Sequence, residues 1–123
     1  MTLKLFIADE SILVIDKLSG LLSDFSDLKI VGFAVDIHTA SEKIRKLNPD
    51  VVIMDIHFLE GNGLDLLKQI KREYPSTIVI VFTNHIESNF RNIYLKEGAD
   101  YFLDKSIEFV KIIDVCNKLI HVH

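Results

Sequence analysis

Five times along this chain a short run of Val, Ile, Leu and Phe gives way to a longer stretch with helical spacing. The apolar runs fall near residues 3–8, 29–35, 50–55, 77–82 and 100–104. The helical segments lie near 11–26, 38–48, 63–74, 87–97 and 107–121. Runs apolar on consecutive residues, rather than on alternate ones, predict strands buried on both faces. Strands that alternate with helices predict a parallel sheet covered by helices on each side. Right-handed crossovers then favour strand order 2-1-3-4-5, so the expected fold is α/β, a doubly wound five-stranded parallel sheet. Punctuation supports the boundaries. Asp36 or Thr39 can cap the second helix and Asn48-Pro49 can stop it. Asn62 or Gly63 precedes the third helix, Tyr74-Pro75 ends it, and Gly98 follows the fourth.

A chain of 123 residues is expected to form one domain, 1–123, with a single core. There is no linker and no sign of an effector domain after the fifth helix, so the expectation is a stand-alone domain or one cut from a longer protein. The net charge of −4 argues against direct nucleic-acid binding, which needs clustered Lys and Arg. The single Cys116 excludes an internal disulfide and reads as a core residue. No apolar run reaches membrane-spanning length and no signal peptide is visible, so a cytoplasmic location is expected.

The chemistry collects at strand ends, where open α/β sheets bind ligands. Val51-Val52-Ile53-Met54 runs into Asp55, and the first strand runs into Asp9-Glu10. The fourth strand reaches Thr83-Asn84 and the fifth Asp104-Lys105. Neighbouring acids repel unless a cation lies between them. Mg²⁺ suits them, because it takes hard oxygen ligands from carboxylates, phosphate and water. Asp55 would be a third oxygen donor and also the reacting group, since carboxylates serve as phosphoryl acceptors. Lys105 offers a fixed positive charge for phosphoryl oxygens and Thr83 a hydroxyl donor.

Over its whole length the chain resembles the receiver domain of two-component response regulators, the CheY-like family, whose (βα)5 fold is flavodoxin-like. The matching pieces are Ala8-Asp9-Glu10, Val52-Ile53-Met54-Asp55-Ile56, Gly61-Asn62-Gly63, Phe82-Thr83-Asn84 and the stretch from Gly98 to Ser106. The resemblance implies that Asp55 is the phospho-acceptor. It implies that Asp9 and Glu10 hold Mg²⁺ together with the backbone carbonyl of His57. It gives Thr83 and Lys105 the grip on the phosphoryl oxygens, and Phe102 the switch aromatic position. The donor would be a sensor histidine kinase or a histidine phosphotransfer protein. The chain departs from the family pattern in three places: Glu10 where Asp is commoner, Leu59-Glu60 where Pro-Gly is usual, and Ser106 where Pro is usual. Without proline, a trans Lys105-Ser106 bond is expected.

In the receiver mechanism Thr83 moves toward the phosphoryl group, Phe102 turns inward, and the face of the fourth helix, fifth strand and fifth helix changes shape. Tyr101 points to the opposite side from Phe102. On the fifth helix, Phe109, Val110, Ile113, Cys116 and Ile120 are expected in the core. Ile112, Val115 and Leu119 then form an apolar excess that suggests a homodimer or effector contact. On the first helix, Val14, Leu18, Leu21, Leu22 and Phe25 make the core stripe, which leaves Ile12 and Leu13 to dock a donor helix. His57 and His85 flank the site, and His121 and His123 read as a solvated tail.

Three other readings stand beside this one. An aspartyl phosphatase would need a second Asp two residues after Asp55, where His57 stands. A flavin binder would need a Ser/Thr/Gly loop after the first strand, where Asp9-Glu10 would repel phosphate. A pseudo-receiver that binds partners without phosphorylation is left open by the altered Leu59-Glu60 loop.

Overall fold

Buried backbone must be hydrogen-bonded, and the apolar runs meet that demand by pairing with each other. The computed structural model describes residues 2–122. Strands β1 (Leu3–Ala8), β2 (Leu28–Ala34), β3 (Val51–Met54), β4 (Ile78–Thr83) and β5 (Tyr101–Asp104) form one parallel sheet in the order β2-β1-β3-β4-β5. Helices α1 (Ile12–Leu22), α2 (Ile37–Leu47), α3 (Gly63–Glu73), α4 (Ser88–Lys96) and α5 (Phe109–Val122) connect and follow them. The expected topology is observed, with element ends shifted by a few residues at most except for α1, which stops at Leu22. His123 lies outside the described residues.

The sheet divides the core in two. One layer gathers Phe6, Val52, Met54, Val79 and Val81 with Ile44 of α2 and Leu66, Leu67 and Ile70 of α3. The other gathers Leu5, Ile7, Ile53, Ile80 and Phe82 with Ile15, Leu18 and Leu22 of α1 and the inner face of α5. Alternate residues of each central strand therefore serve opposite layers, which is why no polar residue interrupts them.

The caps are those the sequence suggested. Asp36 accepts from the Thr39 amide at 2.7 Å and Asn62 from the Asp65 amide at 3.1 Å, each supplying an acceptor to a helix N-terminus. Asn48 closes α2 in the left-handed conformation, φ 47°. Among the described residues every peptide bond is trans, Lys105-Ser106 included.

The fifth helix corrects the expectation. Ile112, Val115 and Leu119 are buried in the core with Cys116, while Val110 is 68% exposed. Placing Val110 and Ile113 at the centre of the inner face mis-set the helix by a fraction of a turn. The three residues assigned to a partner surface hold the sheet instead. Burial pushes the Cys116 thiol up to about 12, as for an inert core thiol. On α1 the missing core member is Ile15, while Ile12 and Leu13 are exposed as expected.

The corrected phase is testable by chemical denaturation. Ile112→Ala should cost about 2–5 kcal/mol, as large-to-small changes in a packed core do. Val110→Ala should change stability by no more than about 0.5 kcal/mol. The opposite order would restore the original helix setting.

Candidate functional site

The carboxyl ends of β1, β3, β4 and β5 bring Asp9, Asp55, Thr83 and Lys105 to one edge of the sheet. Lys105 is the organiser. Its backbone N–H donates to the Thr83 carbonyl at 2.8 Å, which fixes where its side chain starts. Its ammonium donates to Asp9 Oδ2 at 2.7 Å and to Asp55 Oδ2 at 2.6 Å. The second oxygen of each acid is held by backbone: Asp9 Oδ1 accepts from Ser11 N at 2.8 Å, and Asp55 Oδ1 from Ile56 N at 2.7 Å. Both carboxylates are thereby aimed rather than loosely solvated.

Burial sets the electrostatics. Asp9 is 3% exposed, and desolvation raises its carboxyl above the ordinary range despite the hydrogen bonds from Lys105 and Ser11. For Lys105, burial alone would lower the amine. Hydrogen bonds and charge from Asp55 and Asp9 outweigh it, so the ammonium is held above its ordinary value. Two carboxylates share this one ammonium, so the pocket keeps an excess of negative charge. An acid-rich set of hard oxygens beside a buried carboxylate fits a divalent cation such as Mg²⁺.

Glu10 does not join that convergence. Its side chain crosses to the β3–α3 loop, where Oε2 accepts from Leu59 N at 2.5 Å. Among the described residues no three acidic, His or Cys side chains converge on one point that could hold a metal. Asp9 and Asp55 are thus brought together by Lys105, while Glu10 is held apart.

The loop itself is shaped by glycine. A paired His57 and Asn62 close it, and Gly61 sits at φ 87°. Gly63 has no room for a side chain: a Cβ there would lie 2.8 Å from Asp55 O and from Ile56 Cα. The Gly61-Asn62-Gly63 motif therefore seats α3 directly against the backbone of Asp55 and Ile56.

Thr83 is fully buried, and its Oγ1 accepts from His85 N at 3.0 Å. Phe102 is buried as well, packed against Tyr94 with ring centroids 6.3 Å apart. The ring already occupies the core, so the expected inward turn is not the movement this conformation offers. Arg91 of α4 holds it there. The guanidinium donates to Phe102 O at 3.0 Å and lies 5.7 Å from the ring centroid. Sequence reasoning missed Arg91, because nothing local links it to a residue eleven positions on. Tyr101 packs on the other side of the sheet, as expected. The His57 and His85 rings lie 5.1 Å apart beside the site. They line a groove of about 310 Å³ with Leu64, Phe90, Ile93 and Tyr94.

The rim is apolar. Ile12 and Leu13 follow the acidic pair, Leu59 caps the β3–α3 loop, and Ile107 and Val110 lie just after Lys105; all five are exposed. On α4 the exposed apolar residues include Phe90 and Ile93, which line the histidine groove. With Ile112, Val115 and Leu119 buried, α5 gives the face formed by α4, β5 and α5 less exposed apolar surface than expected.

Residues 5–117 match the family described as the response regulator receiver domain. The chain is 29% identical over 118 residues to the response regulator protein VraR of Staphylococcus saprophyticus, an overlap of 96% of this chain and 56% of that protein. It is 32% identical over 127 residues to the protein-glutamate methylesterase/protein-glutamine glutaminase of Geobacillus kaustophilus, covering 98% of this chain and 36% of that one. Among solved structures, the response regulator domain of Thermotoga maritima CheB superposes with a TM-score of 0.84 at 30% identity, over 98% of this chain and 95% of that one. The chain thus spans about half or less of these curated relatives' length. It belongs to the response regulator receiver domain family, a signalling module of two-component systems with the CheY-like fold. Among the described residues no helix is long and apolar enough to cross a membrane.

Proposed function

We propose that residues 1–123 form a phospho-acceptor domain that takes a phosphoryl group from a phosphohistidine onto Asp55 and loses it slowly to water. The observation that carries this reading is the double hydrogen bond from Lys105 to Asp9 and Asp55 at the sheet edge. In the transfer, an Asp55 oxygen forms a bond to phosphorus, the P–N bond to the donor imidazole breaks, and the leaving imidazole takes up a proton. Asp9, Glu10, Asp55 and the His57 carbonyl would hold Mg²⁺, which supplies positive charge against the phosphoryl oxygens. Lys105 neutralises one of those oxygens and Thr83 donates its hydroxyl to another.

The output follows from the same contacts. A Thr83 hydroxyl turned to the phosphoryl group changes its bond with His85 N, and that loop leads into α4. Arg91 ties α4 to Phe102, so a shift of the β4–α4 loop is passed to β5. The exposed Ile12, Leu13, Leu59, Ile107 and Val110 ring the site and suit the apolar face of a donor helix from a sensor histidine kinase or a phosphotransfer protein. Homodimer formation through α4, β5 and α5 loses the support of Ile112, Val115 and Leu119. The test of the central reading is incubation with acetyl phosphate and Mg²⁺, followed by intact-protein mass. A gain of about 80 Da, mapped to the peptide bearing Asp55 and blocked by a chelator, is expected for an aspartyl phosphate. An unchanged mass would favour the pseudo-receiver reading.

A further inference from the structure

Two of the chain's departures from the receiver pattern meet in one contact. Glu10 is one methylene longer than Asp, and Leu59 carries a backbone N–H that proline lacks. The Glu10 carboxylate reaches that N–H at 2.5 Å across 49 residues of sequence. Reverting either departure alone would abolish the bond: an Asp at position 10 would stop short, and a Pro at position 59 would offer no donor. The loop is built to present this group. His57 and Asn62 close it, buried Phe58 anchors it from below, and the Leu59 side chain stands 89% exposed at its tip.

We propose that Glu10 and Leu59 form a latch that must open before the acidic site takes its divalent cation, so that metal binding and the β3–α3 loop are coupled. This rests on the cation site proposed above. With the latch closed, Glu10 lies outside any cluster of acids able to hold a metal among the described residues. Ligation by Glu10 therefore requires it to leave Leu59. The bond is charge-assisted, and giving it up is a cost set against the metal. The loop that is released carries Leu59, one of the exposed apolar residues on the rim, so the cation would also free part of the surface offered to a donor.

The test is Mg²⁺ binding by calorimetry, with amide NMR of Leu59 and Gly61. Leu59→Pro and Glu10→Asp should each lower the Mg²⁺ Kd about fivefold, the factor that corresponds to about 1 kcal/mol. The double variant should bind no tighter than either single one, because both remove the same bond. Leu59→Ala keeps the N–H and should match the wild type. In the wild type, Mg²⁺ should speed hydrogen exchange at the Leu59 amide. Weaker binding by Leu59→Pro would mean that the N–H orients Glu10 as a ligand, and would overturn the latch. So would independent, additive effects or an amide indifferent to Mg²⁺. Failure of the wild type and every variant to bind Mg²⁺ would instead remove the cation site itself, and the latch with it.

Discussion

Asp55→Asn should take up no phosphoryl group under conditions where the wild type gains about 80 Da. The carboxamide oxygen is a poor nucleophile, and no neighbouring group can stand in for it. Asp9 is almost wholly buried and engaged by Lys105 and Ser11. Glu10 is turned to Leu59. The variant should nevertheless fold. An Asn oxygen can still accept from Lys105, and Asp9 keeps the ammonium paired. Loss of one acid from a pocket with an excess of them removes repulsion as well as attraction, so stability should stay within about 1 kcal/mol of the wild type. The measurement is therefore double: mass after incubation with the phosphodonor, and a denaturation midpoint. Equal phosphorylation of Asp55→Asn would place the acceptor elsewhere and undo the assignment.

Much of this was legible beforehand, and the reasons can be traced to individual residues. Leu5 to Ala8, Val51 to Met54 and Val79 to Phe82 are apolar on every residue because both faces of those strands are covered, and that pattern has few other meanings. The acids, the threonine and the lysine were readable because each stands where such a run stops. The fifth helix was not. Phe109, Val110, Ile112, Ile113, Val115, Cys116, Leu119 and Ile120 leave two overlapping apolar arcs. Periodicity cannot choose between them; packing against the sheet does. The Glu10–Leu59 contact is also hidden in the sequence, although both residues depart from the family pattern. Their meeting depends on a loop conformation set by Gly61 and on a side-chain rotamer. Arg91 over Phe102 is hidden for the same kind of reason, since it joins two elements whose separation is fixed only by the fold.

Lys105→Met should cost about 3 kcal/mol of stability at pH 7, near the lower end for removing one partner of a buried ionic set. The side chains of Asp9 and Asp55 are 5% and 12% exposed, so neither can simply be rehydrated when the ammonium goes. Asp9 bears most of the loss, because burial already holds its carboxyl above the ordinary range with the lysine present. A carboxyl whose folded pKa is raised destabilises the fold increasingly as pH climbs from its unfolded value through its folded one. The deficit of Lys105→Met should therefore be larger at pH 7 than near pH 4, where Asp9 can bind a proton. The wild type behaves differently at the other end. Its Lys105 is held above the ordinary amine value, so that stabilisation is complete below the unfolded pKa and disappears only in strong alkali. Urea midpoints of both proteins across pH check these signs. Millimolar Mg²⁺ supplies the decisive comparison: a cation bound among the acids should return part of what the missing ammonium withdrew. If Mg²⁺ leaves the variant's midpoint where it was, the acids are a structural partner for Lys105 and not a cation site.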